Sequence, residues 1–132
     1  MILERIIAAK REEVAGRRRA APVSALRDRP LYGAPRRPFG AALAAAPAPA
    51  VIAELKRASP SRGTIRSGYD VAELAHGYAR GGATALSVLT DGPFFGGALD
   101  DLALAREASG VPCLRKDFLI DPYQVEIGRA HV

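Results

Sequence analysis

Two lysines and one glutamate stand at the ends of short apolar runs and have the side chains that acid–base chemistry requires. Glu54 and Lys56 alternate along the chain at the end of residues 51–55, so they project to the same side if this run is a strand. Lys116 follows a later apolar run, residues 111–115. A carboxylate and an ammonium are costly to bury unless they pair or serve a ligand. These three residues therefore predict a site that binds an anionic substrate and transfers a proton.

Two loops next to these runs have the composition of ligand-binding loops. The SPSRG turn at residues 59–63 offers hydroxyls, backbone N–H groups and an arginine, which suit an anionic group. The FFGG segment at residues 94–97 combines aromatic rings with glycines, which allow the backbone to approach a flat ligand closely. Each cluster taken alone is more often a solvated rim charge or a packed turn. Their equivalent placement after successive apolar runs favours one shared site.

The elements that position these clusters alternate between strands and helices. Apolar runs at residues 51–55, 85–89 and 111–115 predict buried strands, and they are separated by helical patterns. The pattern predicts helices over residues 71–80, with Asp70 as cap, and over 98–109, ended by Gly110; a third helix is predicted to begin at Asp121 and Pro122. Repeated βα units indicate a parallel sheet whose active site lies at the carboxyl ends of its strands. A doubly wound sheet and part of a (β/α)8 barrel both fit this order.

Three regions are expected along the chain. Residues 1–49 form an N-terminal helical extension and connection, with helices predicted over 2–17 and 23–29 and a possible helical turn within 41–48. Residues 50–126 hold about three βα units. The last six residues, IGRAHV at 127–132, show no apolar face and match one reading frame of a common sequencing adapter. We interpret them as a non-native tail on a chain cut off within its third helix.

Composition excludes several classes of protein. The net charge is +5, but aromatic residues make up only 6% and tryptophan is absent, which argues against a nucleic-acid binder that stacks bases. The single cysteine, Cys113, cannot form an internal disulfide. The N-terminus lacks the apolar core of a signal peptide, and no stretch has the length of a membrane span. We expect a cytoplasmic protein that binds neither nucleic acid nor membrane.

The segments that carry the chemistry resemble a known family. In combination and order, IAELKRASPSRG, SVLTDGPFFGG and PCLRKDFLIDPYQ resemble the N-terminal signature segments of indole-3-glycerol-phosphate synthases, over about residues 50–126. The resemblance implies the N-terminal part of a (β/α)8 TIM barrel with an N-terminal helical extension. It also implies a small, phosphorylated, anionic substrate, 1-(2-carboxyphenylamino)-1-deoxyribulose 5-phosphate. Ring closure with loss of CO2 and water would yield indole-3-glycerol phosphate, and no metal or organic cofactor is expected.

The resemblance also assigns roles to residues of this chain. Lys116 matches the general acid, Lys56 a lysine that binds substrate anions and contributes to catalysis, and Glu54 the carboxylate near them. Substrate contacts are implied at Ser59, Phe95 and Leu114, with Ser59 facing an anionic group and Phe95 forming an aromatic wall. The general-base glutamate and the main phosphate-binding loops of the family lie on later strands.

Two other functions also fit the sequence. One alternative is another phosphate-binding TIM-barrel enzyme, such as phosphoribosylanthranilate isomerase; the other is a βα binding module without catalysis. For the leading interpretation, the whole protein is expected to be a monomer or to be fused to another enzyme of tryptophan biosynthesis. The chain itself is expected to be inactive, and to be poorly folded or self-associating in solution.

Overall fold

The structure of the chain, a computed structural model, describes residues 1–132 and divides into two compact units. One unit combines Met1–Pro35 with Asp117–Val132, and the other is Arg36–Lys116. These bounds differ from the three predicted regions, because helix α6 packs with the N-terminal helices α1 and α2. In chain order the elements are α1 (Ile2–Ala20), α2 (Val23–Arg27), α3 (Phe39–Ala45), β1 (Ile52–Leu55), β2 (Ala58–Ser59), β3 (Gly63–Thr64), α4 (Val71–Arg80), β4 (Ala85–Leu89), α5 (Leu99–Ser109), β5 (Cys113–Lys116) and α6 (Tyr123–Arg129).

The unit Arg36–Lys116 is built on a three-stranded parallel sheet in the order β1-β4-β5. The central strand, β4, is buried along its whole length, as its sequence, apolar except for Ser87, predicts for a strand covered on both sides. The sheet agrees with the parallel α/β arrangement expected from the sequence. All three strands lie within one or two residues of their predicted positions.

The register of the sheet places one residue of each strand side by side. Glu54 is paired with Ser87, and Ser87 is paired with Leu114. Because side chains alternate along a strand, these three residues share one face of the sheet. On the opposite face, Leu55, Leu86 and Val88 are buried. Helices α4 and α5 pack against each other and against β1 and β4.

Helices α4 and α5 lie within one residue of their predicted bounds, whereas α3 begins two residues before the helical turn predicted within residues 41–48. Asp70 caps α4, since its Oδ1 accepts the backbone N–H of Glu73 at 2.8 Å. Helix α5 ends at Gly110, whose φ of 73° is the left-handed conformation that glycine adopts readily. The sequence analysis did not predict the short antiparallel hairpin of β2 and β3, which occupies the SPSRG turn. No helix of the chain combines the length and apolar character needed to cross a membrane.

The unit formed by the two ends of the chain has a buried charge at its centre. Helix α1 buries Ile6, Lys10 and Val14, which are spaced four residues apart on one face. Ile2 and Leu3, two apolar residues of the same helix, are exposed. Lys10 occupies the middle of the buried stripe, so the pattern of apolar residues alone does not predict which face of α1 is buried.

Lys10 is buried because carboxylates surround its ammonium group. Its Nζ lies 2.5 Å from Oε2 of Glu13 and 2.9 Å from Oδ1 of Asp117, and only 2% of its side chain is exposed. The Asp117 side chain is equally buried and also accepts the backbone N–H of Phe118. Paired and hydrogen-bonded in this way, the charges avoid the cost of burial without a partner.

Helix α6 begins one residue later than predicted and continues into the final six residues. Asp121 accepts the backbone N–H of Tyr123 and forms an ion pair with Arg18. The expectation that IGRAHV has no apolar face was wrong, because Ile127 and Ala130 are buried. The interpretation of these six residues as a non-native tail stays a prediction.

We predict that Lys10→Ala destabilises the unit formed by the two chain ends. The substitution leaves Asp117 buried without its cation, which costs about 3–5 kcal/mol when one partner of a buried pair is removed. Urea unfolding followed by far-ultraviolet circular dichroism would measure the change. The double variant Lys10→Met/Asp117→Leu should recover most of the loss, because it removes both charges, and Arg5→Ala on the exposed face of α1 should change little. Equal effects of Lys10→Ala and Arg5→Ala would contradict this prediction.

We also predict that the chain self-associates in solution. Leu114 is 47% exposed on the sheet face opposite α4 and α5, and β1 and β5 are both edge strands. Exposed apolar surface and unpaired strand edges favour contacts between chains. Sedimentation velocity at increasing concentration should show oligomers, and Leu114→Lys should reduce them. Leu104→Lys is the matched control, since Leu104 on α5 has the same 47% exposure. A monodisperse monomer with one sharp thermal transition would refute self-association.

Candidate functional site

The glutamate at the end of β1 lies between two lysines. Oε1 of Glu54 is 3.3 Å from Nζ of Lys56, and Oε2 of Glu54 is 2.9 Å from Nζ of Lys116. Lys116 is 62 residues away in sequence, and the parallel pairing of β4 with β1 and β5 brings it to this position. The predicted convergence of these three side chains at the strand ends is confirmed.

Electrostatics keep the central carboxylate ionised. Burial raises the pKa of the Glu54 carboxyl, but hydrogen bonds from Lys116, Ser87 and Lys56 outweigh burial and hold this pKa below its ordinary value. The site therefore presents two ammonium groups that are joined and partly neutralised by one carboxylate. Such a cluster can bind an anionic group and donate a proton at a defined position.

Ser87 belongs to this cluster, although the sequence analysis gave it no role. Its Oγ donates a hydrogen bond of 3.1 Å to Oε2 of Glu54. Ser87 is buried in the middle of the apolar strand β4, where a single hydroxyl is the unusual side chain. A polar residue within an otherwise apolar strand was the signal that could have identified it, because buried hydroxyls require a partner.

Arg57 links the loop after β1 to the loop after β4. Its guanidinium donates to Oδ2 of Asp101 at 2.6 Å and to the carbonyl of Gly96 at 3.2 Å. The guanidinium also lies over the ring of Tyr69, 4.8 Å from its centroid. The hydrogen bond with Asp101 raises the pKa of Arg57, which keeps this contact charged. Arg57 thus ties together the two loops that border the cluster.

The FFGG loop also depends on a close approach of backbone to backbone. A Cβ added at Gly97 would lie 2.1 Å from the carbonyl oxygen of Leu89, a distance that no other residue could accept without a backbone shift. The carboxylate of Asp91 accepts the backbone N–H of Phe94 at 2.9 Å. The backbone carbonyl of Phe95 accepts the N–H of Ala58 at 3.3 Å, so the loop is hydrogen-bonded to the chain after β1.

The structure places the three predicted substrate contacts in different surroundings. The hydrogen bonds of Ser59 lie within its own turn, where its Oγ accepts the N–H of Arg62 and lies 3.3 Å from Oγ of Ser61. Phe95 is half-buried in the loop described above, and Leu114 is exposed on the face that carries Glu54. Their roles in binding stay predictions.

A cavity of about 270 Å³ adjoins the cluster on the β1 side of the unit. Its lining combines the two charged residues of β1 with aromatic and apolar side chains: Glu54, Leu55, Lys56, Ile65, Arg66, Tyr69, Leu74 and Tyr78. Sequence analysis singled out neither tyrosine. Leu74 and Tyr78 lie one helical turn apart on α4, a spacing that could have shown that they share a face. The described residues include no group of three or more His, Cys, Asp or Glu side chains that could hold a metal ion.

Comparisons with known proteins agree with the motifs of the cluster. The family model of indole-3-glycerol phosphate synthase matches residues 3–132. Proteins named indole-3-glycerol phosphate synthase from Laribacter hongkongensis, Burkholderia multivorans and Aromatoleum aromaticum are 49%, 50% and 51% identical to the chain. Each match covers 98% of this chain and 50% of the relative. The chain therefore spans about half the length of the curated relatives it matches, and its three parallel strands fit the N-terminal part of a TIM barrel.

We predict that the Glu54 carboxyl titrates below the ordinary glutamate pKa of about 4.3. This pKa is lower in the folded state than in the unfolded chain. The cluster therefore contributes its full stabilisation when the pH is above the pKa of Glu54 in the unfolded chain. The stabilisation is lost as the pH falls through the lower pKa of the folded state. Lys116→Met should raise the pKa of Glu54, since it removes a hydrogen bond that lowers it. A titration of carboxyl resonances by nuclear magnetic resonance would measure both values.

The control for this titration is Arg80→Met, which removes one positive charge from the exposed end of α4. It should leave the Glu54 titration nearly unchanged, because solvent screens distant surface charges. An ordinary or raised pKa in the unsubstituted chain would overturn the prediction, as would equal shifts in the two variants.

Proposed function

The chain belongs to the indole-3-glycerol phosphate synthase family, and we propose that the full-length protein is a carboxy-lyase with that activity. Its substrate is 1-(2-carboxyphenylamino)-1-deoxyribulose 5-phosphate, and its products are indole-3-glycerol phosphate, CO2 and water. This family membership sets aside phosphoribosylanthranilate isomerase and a non-catalytic module as explanations of the motifs. We further propose a cytoplasmic enzyme that requires no metal or organic cofactor.

The observation that carries this proposal is the carboxylate held between two ammonium groups. The substrate bears a carboxylate and a phosphate, and the reaction releases its carbonyl oxygen as water, so one site must both bind anions and supply a proton. Lys116 and Lys56 provide two cations on opposite oxygens of Glu54. We assign the proton transfer to Lys116 and the anion contact to Lys56, following the roles that the family resemblance implies.

The overall reaction defines what the acid must do. A carbon–carbon bond forms between the anthranilate ring and the former carbonyl carbon, and the bond from the ring to the carboxylate breaks as CO2 leaves. The carbonyl oxygen takes up two protons and departs as water, while the methylene group beside the nitrogen loses one proton to the general base. The acid supplies the proton with which the oxygen leaves. A lysine held by a carboxylate can deliver this proton because its ammonium group is oriented before the substrate arrives.

Neighbouring residues supply binding rather than bond making. In the proposed complex, the hydroxyl of Ser59 contacts a substrate anion, the Phe95 ring lies along the anthranilate ring, and Leu114 provides apolar contact beside Lys116. Arg57 supports the arrangement by connecting the two loops through Asp101 and Gly96. We propose that the general base and the main phosphate-binding loops belong to the part of the enzyme that this chain does not include.

We predict that Lys116→Ala lowers the kcat of the full-length enzyme by at least about 100-fold, the usual contribution of a general acid or base. Lys116→Arg should fail to restore activity, because it keeps the charge but holds its proton too tightly to transfer it. Formation of indole-3-glycerol phosphate, measured by fluorescence with purified substrate, would give kcat and KM for each variant.

Two further measurements complete the test. Lys10→Ala, which is predicted to destabilise the other compact unit, controls for loss of activity through general destabilisation. The 132-residue chain alone should show no turnover, since the general base is proposed to lie elsewhere. Turnover by Lys116→Ala at the rate of the unsubstituted enzyme would disprove the assignment of the acid. Complete inactivity of the unsubstituted full-length protein would disprove the function.

A further inference from the structure

Ser87 is the only member of the hydrogen-bonded cluster that cannot carry a charge in the physiological range. It lies in the middle of the central strand β4, with 5% of its surface exposed, and it shares a sheet face with Glu54. Ser87 has no role in the proposed reaction as described so far by its acid, anion-binding and substrate-contact residues. Its neighbours along β4 are all apolar.

The hydrogen bonds of the cluster distribute its two lysines between the two carboxylate oxygens. Oε2 of Glu54 accepts the Ser87 hydroxyl at 3.1 Å and the Lys116 ammonium at 2.9 Å. Oε1 faces Lys56 at 3.3 Å. A carboxylate with two lysines alone could rotate about its terminal bond and exchange its oxygens without changing its contacts. The third donor makes the two oxygens different.

We propose that Ser87 is a positioning residue that fixes the orientation of the Glu54 carboxylate and, through it, the direction of the Lys116 ammonium group. The inference rests on the proposed function, because it concerns the lysine assigned as the proton donor. In this role Ser87 acts through Glu54 and does not itself contact the substrate.

The position of Ser87 in the sheet explains why a serine can orient the Glu54 carboxylate. The register makes Ser87 the direct neighbour of Glu54, and adjacent strands lie about 4.8 Å apart. A short side chain on a buried strand has little freedom, so its hydroxyl can be held in one place by packing alone. A donor without charge also adds no repulsion toward the two ammonium groups.

The consequence for catalysis lies in the geometry of proton transfer. Lys116 is about half exposed, so packing alone leaves its long side chain mobile. Its contact with Oε2 of Glu54 is what restrains it, and that oxygen is held in turn by Ser87. Loss of the serine hydroxyl should therefore reduce kcat more than it raises KM, because substrate anions still meet two cations.

The test uses the full-length enzyme with Ser87→Ala, Ser87→Thr and a matched control, Ser109→Ala. Ser109 also has a hydrogen-bonded hydroxyl, which accepts the N–H of Val111 just beyond the end of α5. This contact precedes the start of β5, whereas Lys116 lies at the carboxyl end of that strand. We expect Ser87→Ala to lower kcat about 10- to 100-fold, the equivalent of one lost hydrogen bond to a charged group. KM should change less than about threefold, and Ser87→Thr and Ser109→Ala should stay close to the unsubstituted enzyme.

A second readout follows the Glu54 carboxyl directly by nuclear magnetic resonance. Ser87→Ala should raise its pKa, since the lost hydrogen bond favours the ionised form, and Ser87→Thr should restore it. If Ser87→Ala does not fold, Ser87→Cys serves instead, because it keeps the size of the side chain but donates only weakly.

The two readouts separate this inference from the proposed function. Inactivity of the unsubstituted enzyme would disprove the function, while the Glu54 titration would still decide whether Ser87 orients the carboxylate. An unchanged Glu54 titration in Ser87→Ala would overturn the inference whatever the activity. A normal kcat in Ser87→Ala, or a loss that Ser87→Thr does not restore, would also overturn it.

Discussion

The parallel register of β1, β4 and β5 is the constraint on which the candidate site depends. It places Glu54 beside Ser87 and Ser87 beside Leu114, and it ends the strands so that Lys56 and Lys116 meet the same carboxylate. A slip of β1 by one residue would exchange the two faces of that strand. Glu54 would then enter the layer of Leu86 and Val88, where a carboxylate has no partner and is costly to bury. The same hydrophobic layer that stabilises the sheet therefore also specifies the site.

The two faces of the sheet perform different tasks. One face is closed by α4 and α5 and supplies the apolar core, with Leu55, Leu86 and Val88 fully buried. The other face holds the charged cluster, and partial exposure lowers the cost of keeping a carboxylate and two ammonium groups there. Glu54 and Lys116 keep roughly a third and half of their side chains exposed. Such a site can release its own ion pairs to a substrate anion, which a fully buried network could not do.

Charged residues outside the cluster form contacts that stabilise the structure. Arg57 contacts Asp101, Gly96 and the Tyr69 ring within one unit. These contacts connect the chain after β1 to the FFGG loop. In the other unit, Lys10 and Asp117 form a pair that is almost inaccessible to solvent. Both arrangements use long-range contacts between charged residues, and neither involves the lysines of the cluster.

Local spacing in the sequence was enough to predict a substantial part of this protein. Alternation at Glu54 and Lys56, apolar runs of strand length and the cap at Asp70 are all short-range patterns, and the structure contains each of them. The three signature segments likewise indicated the family before any geometry was known. Tertiary structure alone decided that Ser87 meets Glu54, that Lys10 is buried against Asp117, and that Arg57 reaches Asp101. These pairs are 33, 107 and 44 residues apart by their positions in the chain, and one sequence carries no periodic signal over such distances. Strand register and helix packing determine them, because only the folded chain brings the partners within the length of a hydrogen bond.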